Sequence, residues 1–274
     1  MAPRRSTLAS AYGILLAGTA VSLVPFLYLV STSLKDTNSL FSYPPDWIPS
    51  PLFWGNFTAL LQDHPYIRWT VNTLVVSGVV TLLKLLFDSM AGYALAKMDF
   101  TGKRGVTLVL LLSVAIPVSA LIIPLFFVVR HLGLLNTYWA LILPPLANPL
   151  GIFMARSFVA GIPDDLEASA RLDGASELTI YRRIVLPLIR PGLVVLGMFI
   201  FMLQYTSFLW PLVAVQDTDL QVLTVGISGL QSAFLQDWGL LSAGMLLAAV
   251  PITIIFLTVQ RTFIVNDLSG ALKE

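Results

Sequence analysis

Residues 164–187 read DDLEASARLDGASELTIYRRIVLP, a charged stretch between long apolar segments. Its first half predicts a short helix. Asp164, with Glu167 at the third helical position, has the form of a capping box at the helix start. Asp173 followed by Gly174 is typical of a helix end, because glycine accepts the left-handed conformation that often closes a helix.

The second half of the stretch predicts another short helix. Ser176 is a suitable N-cap, and Pro187 would bend or end the helix because proline has no backbone N–H. Four side chains would share one apolar face: Leu178, Tyr181, Val185 and Leu188. A helix pair with an apolar stripe and exposed charges favours an element that a partner protein grips. An amphipathic pair resting on lipid headgroups is the alternative.

The rest of the chain has the composition of a membrane protein. Of its 274 residues 57% are hydrophobic and 11% are charged, and the net charge is +1. Such a chain has too little polar surface to cover a soluble globule. Several apolar runs approach or exceed the roughly 20 residues that a helix needs to cross a bilayer, and they lack the alternation of barrel strands. The predicted fold class is therefore an all-α polytopic membrane protein.

Six transmembrane helices within one domain, residues 1–274, account for the apolar runs. Pro144, Pro145, Asn148 and Pro149 lie in the fourth run, so we expect that helix to be kinked or partly unwound. The spans are predicted at residues 11–34, 70–96, 105–129, 137–160, 190–213 and 239–260, with a loop at 161–189.

The Lys and Arg residues predict the orientation, because cationic residues are retained on the cytoplasmic side of short loops. Three lie on one side of the six spans, namely Lys35, Arg68 and Arg130. The other side holds Arg4, Arg5, Lys97, Lys103, Arg104, Arg156, Arg171, Arg182, Arg183, Arg190, Arg261 and Lys273. Both termini and the 161–189 loop are therefore predicted to be cytoplasmic, in a multi-pass protein of the cell (inner or plasma) membrane.

The chain start and the first external loop leave alternatives. The basic start is retained as the first span, because its apolar run is longer than that of a typical signal peptide. The segment from Asp36 to Trp69 is rich in proline and aromatic residues. These residues are typical of an ordered cap or docking surface. A turn-rich connector that lies at the headgroups explains them about equally well.

Catalytic and metal-binding signatures are missing from the sequence. There is no cysteine, His64 and His131 are far apart, and HExxH, GxSxG and GxxxxGK[ST] do not occur. Thiolate metal sites, zinc and serine hydrolysis and nucleotide binding therefore have no local signature. We expect a non-catalytic chain that binds no metal or cofactor and obtains any energy from a partner.

Two charges, Lys84 and Asp88, lie within the second predicted span, four residues apart and hence on one helical face. Paired charges that face other protein are much less costly at membrane depth than a lone charge. The pair is interpreted as a helix–helix or subunit clamp in preference to a gate. For a clamp, reversing the two charges should recover part of the assembly that single substitutions lose, because the i, i+4 pairing is kept.

The 164–187 stretch resembles the signature loop of binding-protein-dependent ABC importer permeases. That loop has Glu-Ala-Ala, three residues, Gly, nine residues and then Ile-x-Leu-Pro. Here Gly174 is followed after nine residues by IVLP at 184–187. The triplet falls on Ala-Ser-Ala at 168–170, so Glu167 stands one position before the family glutamate. On a helix that displacement rotates a side chain by about 100°.

Further motifs resemble the maltose-type sugar permeases of that superfamily and cover nearly the whole chain. In the fifth span, YTSFLWPL at 205–212 stands where the family often has Trp-Asn-Asp-Phe before Pro-Leu. The other matches are SLK at 33–35, NTL at 72–74, AGYALAKMDFTGKR at 91–104, IP at 116–117, LGLLNT at 132–137, IPDDLE at 162–167, LPLIRPGL at 186–193 and GALKE at the C-terminus.

The resemblance implies the fold of a type I ABC importer permease with a cytoplasmic coupling-helix loop. A second permease chain would complete a heterodimer, two ATPase subunits would bind ATP and Mg²⁺, and an extracytoplasmic solute-binding protein would deliver a sugar; no nucleic-acid partner is implied. The implied ATPase-coupling residues are Glu167, Ala168, Ser169, Ala170, Asp173, Gly174, Ala175, Ile184, Leu186 and Pro187.

The same resemblance suggests a candidate substrate pathway in the fifth span. Aromatic rings there would stack on sugar faces and hydroxyl groups would bond the sugar, although ordinary packing explains the residues equally well. The residues are Tyr205, Thr206, Ser207, Phe208 and Trp210. A secondary transporter or channel gated by Lys84 and Asp88 is the alternative function, and a membrane enzyme is a third.

Overall fold

The computed structural model describes residues 5–36, 40, 47–231 and 237–271, and side chains only from 11 to 260 within these ranges. Arg4, Lys273 and the last three residues of the GALKE motif lie outside the described residues. The described chain forms helices and turns without a strand. The helices are α1 (Arg5–Ser33), α2 (Gly55–Gln62), α3 (Tyr66–Lys97), α4 (Lys103–Val114), a 3₁₀ turn (Val118–Leu121), α5 (Ile122–His131), α6 (Tyr138–Leu146), α7 (Leu150–Ala160), α8 (Asp164–Leu172), α9 (Glu177–Ile180), a π-helical turn (Tyr181–Val185), α10 (Leu186–Tyr205), α11 (Leu209–Ala214), α12 (Leu223–Gly229) and α13 (Trp238–Ala271).

Four helical segments are long and apolar enough to cross a membrane, and two bent helix pairs bring the number to six if each pair is one span. The straight segments are Ala11–Ser33, Tyr66–Lys97, Glu177–Tyr205 and Trp238–Gln260. The bent pairs are α4 with the following helices to His131, and α6 with α7. The fold class and the number of transmembrane helices therefore agree with the prediction from the sequence.

Both bends lie at prolines. The helix axes of α6 and α7 differ by 48°, and the break at residues 147–149 lies where the prolines predicted it. The bend of 94° after α4 was not predicted. It lies at Pro117, which supplies no N–H to the helix and disfavours helical conformation of Ile116 before it.

The fifth predicted span, 190–213, differs from the helix that the structure contains. The helix starts earlier, because α9, the π turn and α10 form one continuous segment from Glu177 to Tyr205. It also ends earlier, because α11 is a separate helix. Pro187 therefore neither ends nor interrupts it. It is the second residue of α10, directly after the widened π turn, where its missing N–H is tolerated.

The chain divides into two compact units, of which one comprises Met1–Ile67 and Gly226–Val250. In it the carboxamide of Asn56 donates hydrogen bonds to the carbonyls of Ser33 and Lys35, both at 2.9 Å. The hydroxyl of Tyr66 donates to the carbonyl of Gly244 at 2.9 Å. Residues 11–28 of α1 are exposed throughout, as expected of a helix that faces lipid or another subunit.

The other unit comprises Arg68–Val225 and Pro251–Glu274. Its core includes Val80 of α3, Leu141 of α6, Val159 of α7 and Leu196 of α10, each at most 2% exposed. These apolar contacts place α3 beside α10 and beside the broken pair α6 and α7. The candidate site residues all belong to this unit.

Two asparagines of the quoted motifs hold the segment 215–223 in this unit. Asn72 of NTL donates from Nδ2 to the carbonyls of Asp219 and Gln221, both at 2.9 Å. Asn136 of LGLLNT has φ 56°, which asparagine tolerates better than most residues. Its Oδ1 accepts from the backbone N–H groups of Gln216 and Asp217 at 2.6 and 3.2 Å. Side chains therefore replace regular secondary structure in fixing this segment.

Candidate functional site

The first helix of the 161–189 loop, α8, does not begin with the predicted capping box. Pro163 is its N-cap and has no side-chain donor or acceptor, while Asp164 is the first helical residue. The Asp164 carboxylate instead binds the ammonium of Lys97. Three acidic side chains still lie in the first turn, where they interact favourably with the helix dipole.

The turn between α8 and α9 has the conformation that the sequence predicted. Gly174 has φ 81°, in the left-handed region that favours glycine. Its N–H bonds the carbonyl of Arg171 at 3.1 Å, and the N–H of Ala175 bonds that of Ala170 at 3.0 Å. Ser176 caps α9 by accepting from the N–H of Thr179 at 3.4 Å.

The prediction that four side chains share one apolar face of the second helix is wrong in part. Tyr181 and Val185 are buried, but Leu178 and Leu188 are more than half exposed. The π turn at 181–185 is the reason, because its extra residue per turn shifts the register of the side chains on either side of it.

The end of α3 fixes the loop by three side chains. Lys97 donates to the carbonyl of Ile162 at 2.6 Å, just before α8. Tyr93 donates from its hydroxyl to Oε2 of Glu177 at 2.6 Å, at the start of α9. Ser89 shares a hydrogen bond of 2.7 Å with the hydroxyl of Tyr181. Both helical segments of the 161–189 loop are therefore fixed to α3.

Glu167 points into this contact and not outward. Its side chain is 2% exposed, with Oε1 3.8 Å from Nζ of Lys97 and Oε2 3.3 Å from Nη2 of Arg171. Arg171 also binds Glu177 through two contacts, Nε to Oε1 at 2.8 Å and Nη2 to Oε2 at 3.2 Å. Lys97, Glu167, Arg171 and Glu177 thus form one charged cluster, called here the loop cluster, which also includes Asp164.

The charges of the loop cluster shift the pKa values of its members. The hydrogen bond and the charge of Lys97 lower the pKa of the Asp164 carboxyl. The hydrogen bonds to Glu177 raise the pKa of Arg171 above its usual range. Both groups keep their charge at every pH near neutrality, so the ion pairs persist.

The remaining loop residues divide into an inner and an outer set. Ala170, Ala175, Ile184 and Leu186 are half-buried and pack against the core, whereas Ala168, Ser169, Asp173 and Pro187 are exposed. Three leucines extend the outer set: Leu166 is 46%, Leu178 57% and Leu172 89% exposed. The outer surface, called here the leucine surface after these three residues, therefore offers apolar contacts.

The residues of the candidate substrate pathway also differ in exposure. Tyr205 and Trp210 are buried, and the indole N–H of Trp210 donates to the carbonyl of Ala140 at 2.8 Å. Ser207 and Phe208 are half-buried, while Thr206 is exposed. The hydroxyl of Thr206 bonds the carbonyl of Met202 at 2.8 Å. The structure thus brings all five together at one helix end but exposes only part of the set.

Lys84 and Asp88 are buried together beside the break between α6 and α7. Nζ of Lys84 lies 3.0 Å from Oδ2 of Asp88, and the two side chains are 6% and 3% exposed. The ammonium also donates to the carbonyl of Asn148, inside the break, at 2.6 Å. A β-carbon on Gly151 would overlap the Asp88 carboxylate. The pair thus binds the broken helix, and the carbonyl that the break frees has a charged donor.

The three residues of α3 that hold the loop were not among the predicted site residues: Ser89, Tyr93 and Lys97. Asp164, Arg171 and Glu177 of the loop cluster were also not among them. Tyr93 and Lys97 belong to the AGYALAKMDFTGKR motif, which therefore carried the signal. No local pattern indicates a contact partner for that motif, because the loop residues that it binds lie 65 to 84 residues further along the chain.

Comparisons with known proteins agree on one family and one fold. A family model described as "Binding-protein-dependent transport system inner membrane component" matches residues 88–264. The arabinooligosaccharides transport system permease protein AraQ of Halalkalibacterium halodurans is 35% identical over 256 residues, 92% of each chain. The trehalose transport system permease protein SugB of Mycobacterium tuberculosis is 31% identical over 277 residues, 100% of each chain.

A solved structure gives the same fold. One chain in the crystal structure of a bacterial ABC transporter involved in the import of the acidic polysaccharide alginate matches this chain with a TM-score of 0.81. The match covers 95% of this chain and 98% of that chain, at 21% sequence identity.

Proposed function

Since the chain belongs to the family of binding-protein-dependent transport system inner membrane components, we propose that it is one permease subunit of an ATP-driven ABC importer for a sugar or sugar-like solute. Its relatives are named for the transport of arabinooligosaccharides and trehalose, so carbohydrate is the substrate class that these names share. The whole chain, as one permease domain, would form half of the translocation pathway in the inner membrane.

The energy for transport would come from partners. The chain carries no nucleotide-binding motif, so two ATPase subunits would bind ATP and Mg²⁺ while this subunit catalyses no reaction. A second permease chain would complete the pathway, and a solute-binding protein would deliver the sugar, as the family name implies. Family membership also disfavours the alternative of a secondary transporter or channel gated by Lys84 and Asp88.

The coupling to the ATPase would run through the 161–189 loop. The observation that carries this proposal is its two-sided construction: an inner side tied to α3 by Tyr93 and Lys97, and an outer leucine surface. Apolar side chains exposed on short helices are typical of helix-in-groove docking. Movement of an ATPase subunit would thus displace α8 and α9, and their polar contacts would transmit the displacement to α3.

Glu167 would contribute to coupling from within the loop. With a side-chain exposure of 2% and contacts to Lys97 and Arg171, it holds α8 against α3 and does not bind the partner directly. The family glutamate stands one residue later, where this chain has Ala168, an exposed residue. An ionic contact at that position would be replaced here by apolar contacts of Leu166 and Leu172.

Substrate contact by this chain would involve Thr206, Ser207 and Phe208, because these residues keep exposed surface. Tyr205 and Trp210 would support that surface from the core. The indole N–H of Trp210 is already bonded to the protein, so a sugar hydroxyl would have to compete for it. The orientation that the cationic residues predict would place this surface towards the extracytoplasmic side and both termini in the cytoplasm.

A co-purification experiment tests the coupling proposal. Leu172→Glu introduces a charge at the most exposed leucine of the surface, so we expect a loss of ATPase subunits from the purified complex and of stimulated ATPase activity. Phe100→Ser is the matched control, since Phe100 is 40% exposed outside the 161–189 loop. Normal ATPase recovery with Leu172→Glu would contradict the assignment of the leucine surface.

A further inference from the structure

A buried polar stripe runs along α3 through the interior of the second unit. Thr73, Ser77, Thr81, Lys84 and Asp88 are spaced three or four residues apart, so they lie on one helix face. All are at most 9% exposed. The hydroxyls of Ser77 and Thr81 find no hydrogen-bond partner among the described residues.

Unpartnered buried hydroxyls are unfavourable. A buried group that lacks a partner has lost its hydrogen bonds to water and gained none in the folded protein, which destabilises the fold. A serine or threonine in a helix usually bonds a carbonyl of the preceding turn, as Thr73 does to Trp69 at 2.8 Å. The described part of the chain therefore does not supply the hydrogen bonds that the hydroxyls of Ser77 and Thr81 lack.

Two small cavities adjoin this stripe. The first is lined by Thr73 and Ser77 of α3, and by Gln204, Ser207 and Trp210 among others. The second is lined by Lys84 and Asn148, with Leu196 and again Gln204. Gln204 lines both, and Thr81 lies on α3 between Ser77 and Lys84, so the cavities follow one another along the stripe.

The space open to the centre of a water molecule is about 10 Å³ in the first cavity and about 40 Å³ in the second. A site needs roughly one water-sized sphere and two to four polar partners to hold a water. Ser77, Gln204 and Ser207 supply such partners in the first cavity. Lys84, Asn148 and Gln204 supply them in the second. Neither cavity has room for a sugar ring.

We propose that both cavities are binding sites for water, one beside Ser77 and one beside Lys84. The water in the first cavity accepts or donates the hydrogen bond that the Ser77 hydroxyl lacks. The water in the second cavity solvates the ammonium of Lys84 on the side away from Asp88. The first site shares Ser207 with the surface proposed to contact the solute, whereas the second site contains none of the proposed substrate-contact residues.

X-ray radiolytic footprinting of the purified, nucleotide-free complex tests the proposal, because bound water next to a side chain produces hydroxyl radicals there. Leu141 and Trp210 line the first cavity and Leu196 the second, and all three are buried. Leu60 and Tyr181 are equally buried controls that line neither cavity. We expect oxidation of the three cavity residues at least several-fold faster than of the control of similar chemistry. Equal rates would overturn the proposal.

Thermal melting of hydroxyl-deletion variants gives a second readout. If water bonds Ser77, then Ser77→Ala removes a real hydrogen bond and should lower the melting temperature by roughly 2–4 °C. Thr81→Val, at a buried hydroxyl that lines neither cavity, should not lower it. Thr19→Val, at an exposed hydroxyl that bonds the Leu15 carbonyl, is a second control and should leave it unchanged. A rise in Ser77→Ala would refute the water site beside it.

Discussion

Replacing Lys84 by methionine would remove an ammonium that lies 3.0 Å from Oδ2 of Asp88 and 2.6 Å from the carbonyl of Asn148. Methionine retains most of the apolar stem, so the change is mainly one of charge. Asp88, with a side chain 3% exposed, would then be a buried carboxylate without a counter-charge. The carbonyl inside the helix break would also lose its donor.

The magnitude follows from the burial of the pair. Removing one partner of a buried ion pair costs about 3–5 kcal/mol, roughly a hundredfold to several-thousandfold in an equilibrium constant. The double variant Lys84→Met, Asp88→Leu removes both charges and leaves only the Asn148 carbonyl unbonded, which costs about 1–3 kcal/mol. The expected order of stability is therefore parent, double variant and then Lys84→Met.

Reversing the charges should not rescue the protein. With Lys84→Asp and Asp88→Lys the i, i+4 pairing is kept, and the sequence alone predicted partial recovery on that ground. The structure argues against this expectation, because the ammonium at position 84 also donates to the carbonyl of Asn148. A carboxylate at that position has no proton to donate, so the carbonyl would lose its donor.

The assay is the yield of complex extracted in detergent, measured beside sugar uptake for each variant. Lys103→Met is the matched control. It breaks another i, i+4 pair, with Asp99 at 3.5 Å, whose carboxylate is fully exposed. Exposed pairs contribute about 0.2–1 kcal/mol, so its yield should remain near normal. Normal yield together with abolished uptake in Lys84→Met and in Asp88→Leu would refute the clamp and favour a gate.

Three further predictions concern the coupling loop and the topology. Gly174→Val should impair binding-protein-stimulated ATPase activity, and Gly174→Asn should impair it less. The reason is backbone strain, because φ 81° costs a β-branched residue about 1–2 kcal/mol, whereas no atom crowds the position. Lys97 lowers the pKa of Asp164 in the folded protein. Their pairing therefore stabilises the folded protein above about pH 4, and this stabilisation is lost as the pH falls through the lowered pKa of Asp164. The melting temperatures of Asp164→Asn and the parent should accordingly differ by a constant amount from pH 5 to 8 and converge in stronger acid; convergence at neutral pH would contradict the pairing. Single cysteines at Thr101 and Ser176, in a chain that has none, should resist an impermeant thiol reagent in intact cells, and efficient labelling of either would overturn the cytoplasmic assignment.

Local features of the coupling loop were predictable from sequence because they depend on neighbouring residues. Gly174 and Ser176 act within one or two turns, and both have the predicted conformations. The capping role of Asp164 failed because Lys97 competes for its carboxylate from another helix. Sequence pattern does not reveal such a competitor, since nothing in the 164–187 stretch indicates where α3 ends.

The helix breaks show the same difference between local and tertiary causes. The prolines around Asn148 predicted the break between α6 and α7, and Pro117 gave an equally local signal for the larger bend that was not recognised. A helix break leaves a backbone carbonyl without its helical hydrogen bond, and no local pattern predicts which residue binds that carbonyl. In this protein the partner of Asn148 is Lys84, 64 residues earlier in the chain.

The uninterrupted course of α3 connects the parts of the site. Within its 32 residues, Asn72 holds the 215–223 segment, Lys84 holds the break in the α6–α7 pair, and Lys97 holds the start of α8. Lys84 and Lys97 are about 20 Å apart along a helix that rises about 1.5 Å per residue. Rigid helices are among the elements that carry coupling between distant sites. Since α3 has no proline or break between these contacts, a displacement that the ATPase imposes on the loop would shift the α6–α7 break as well.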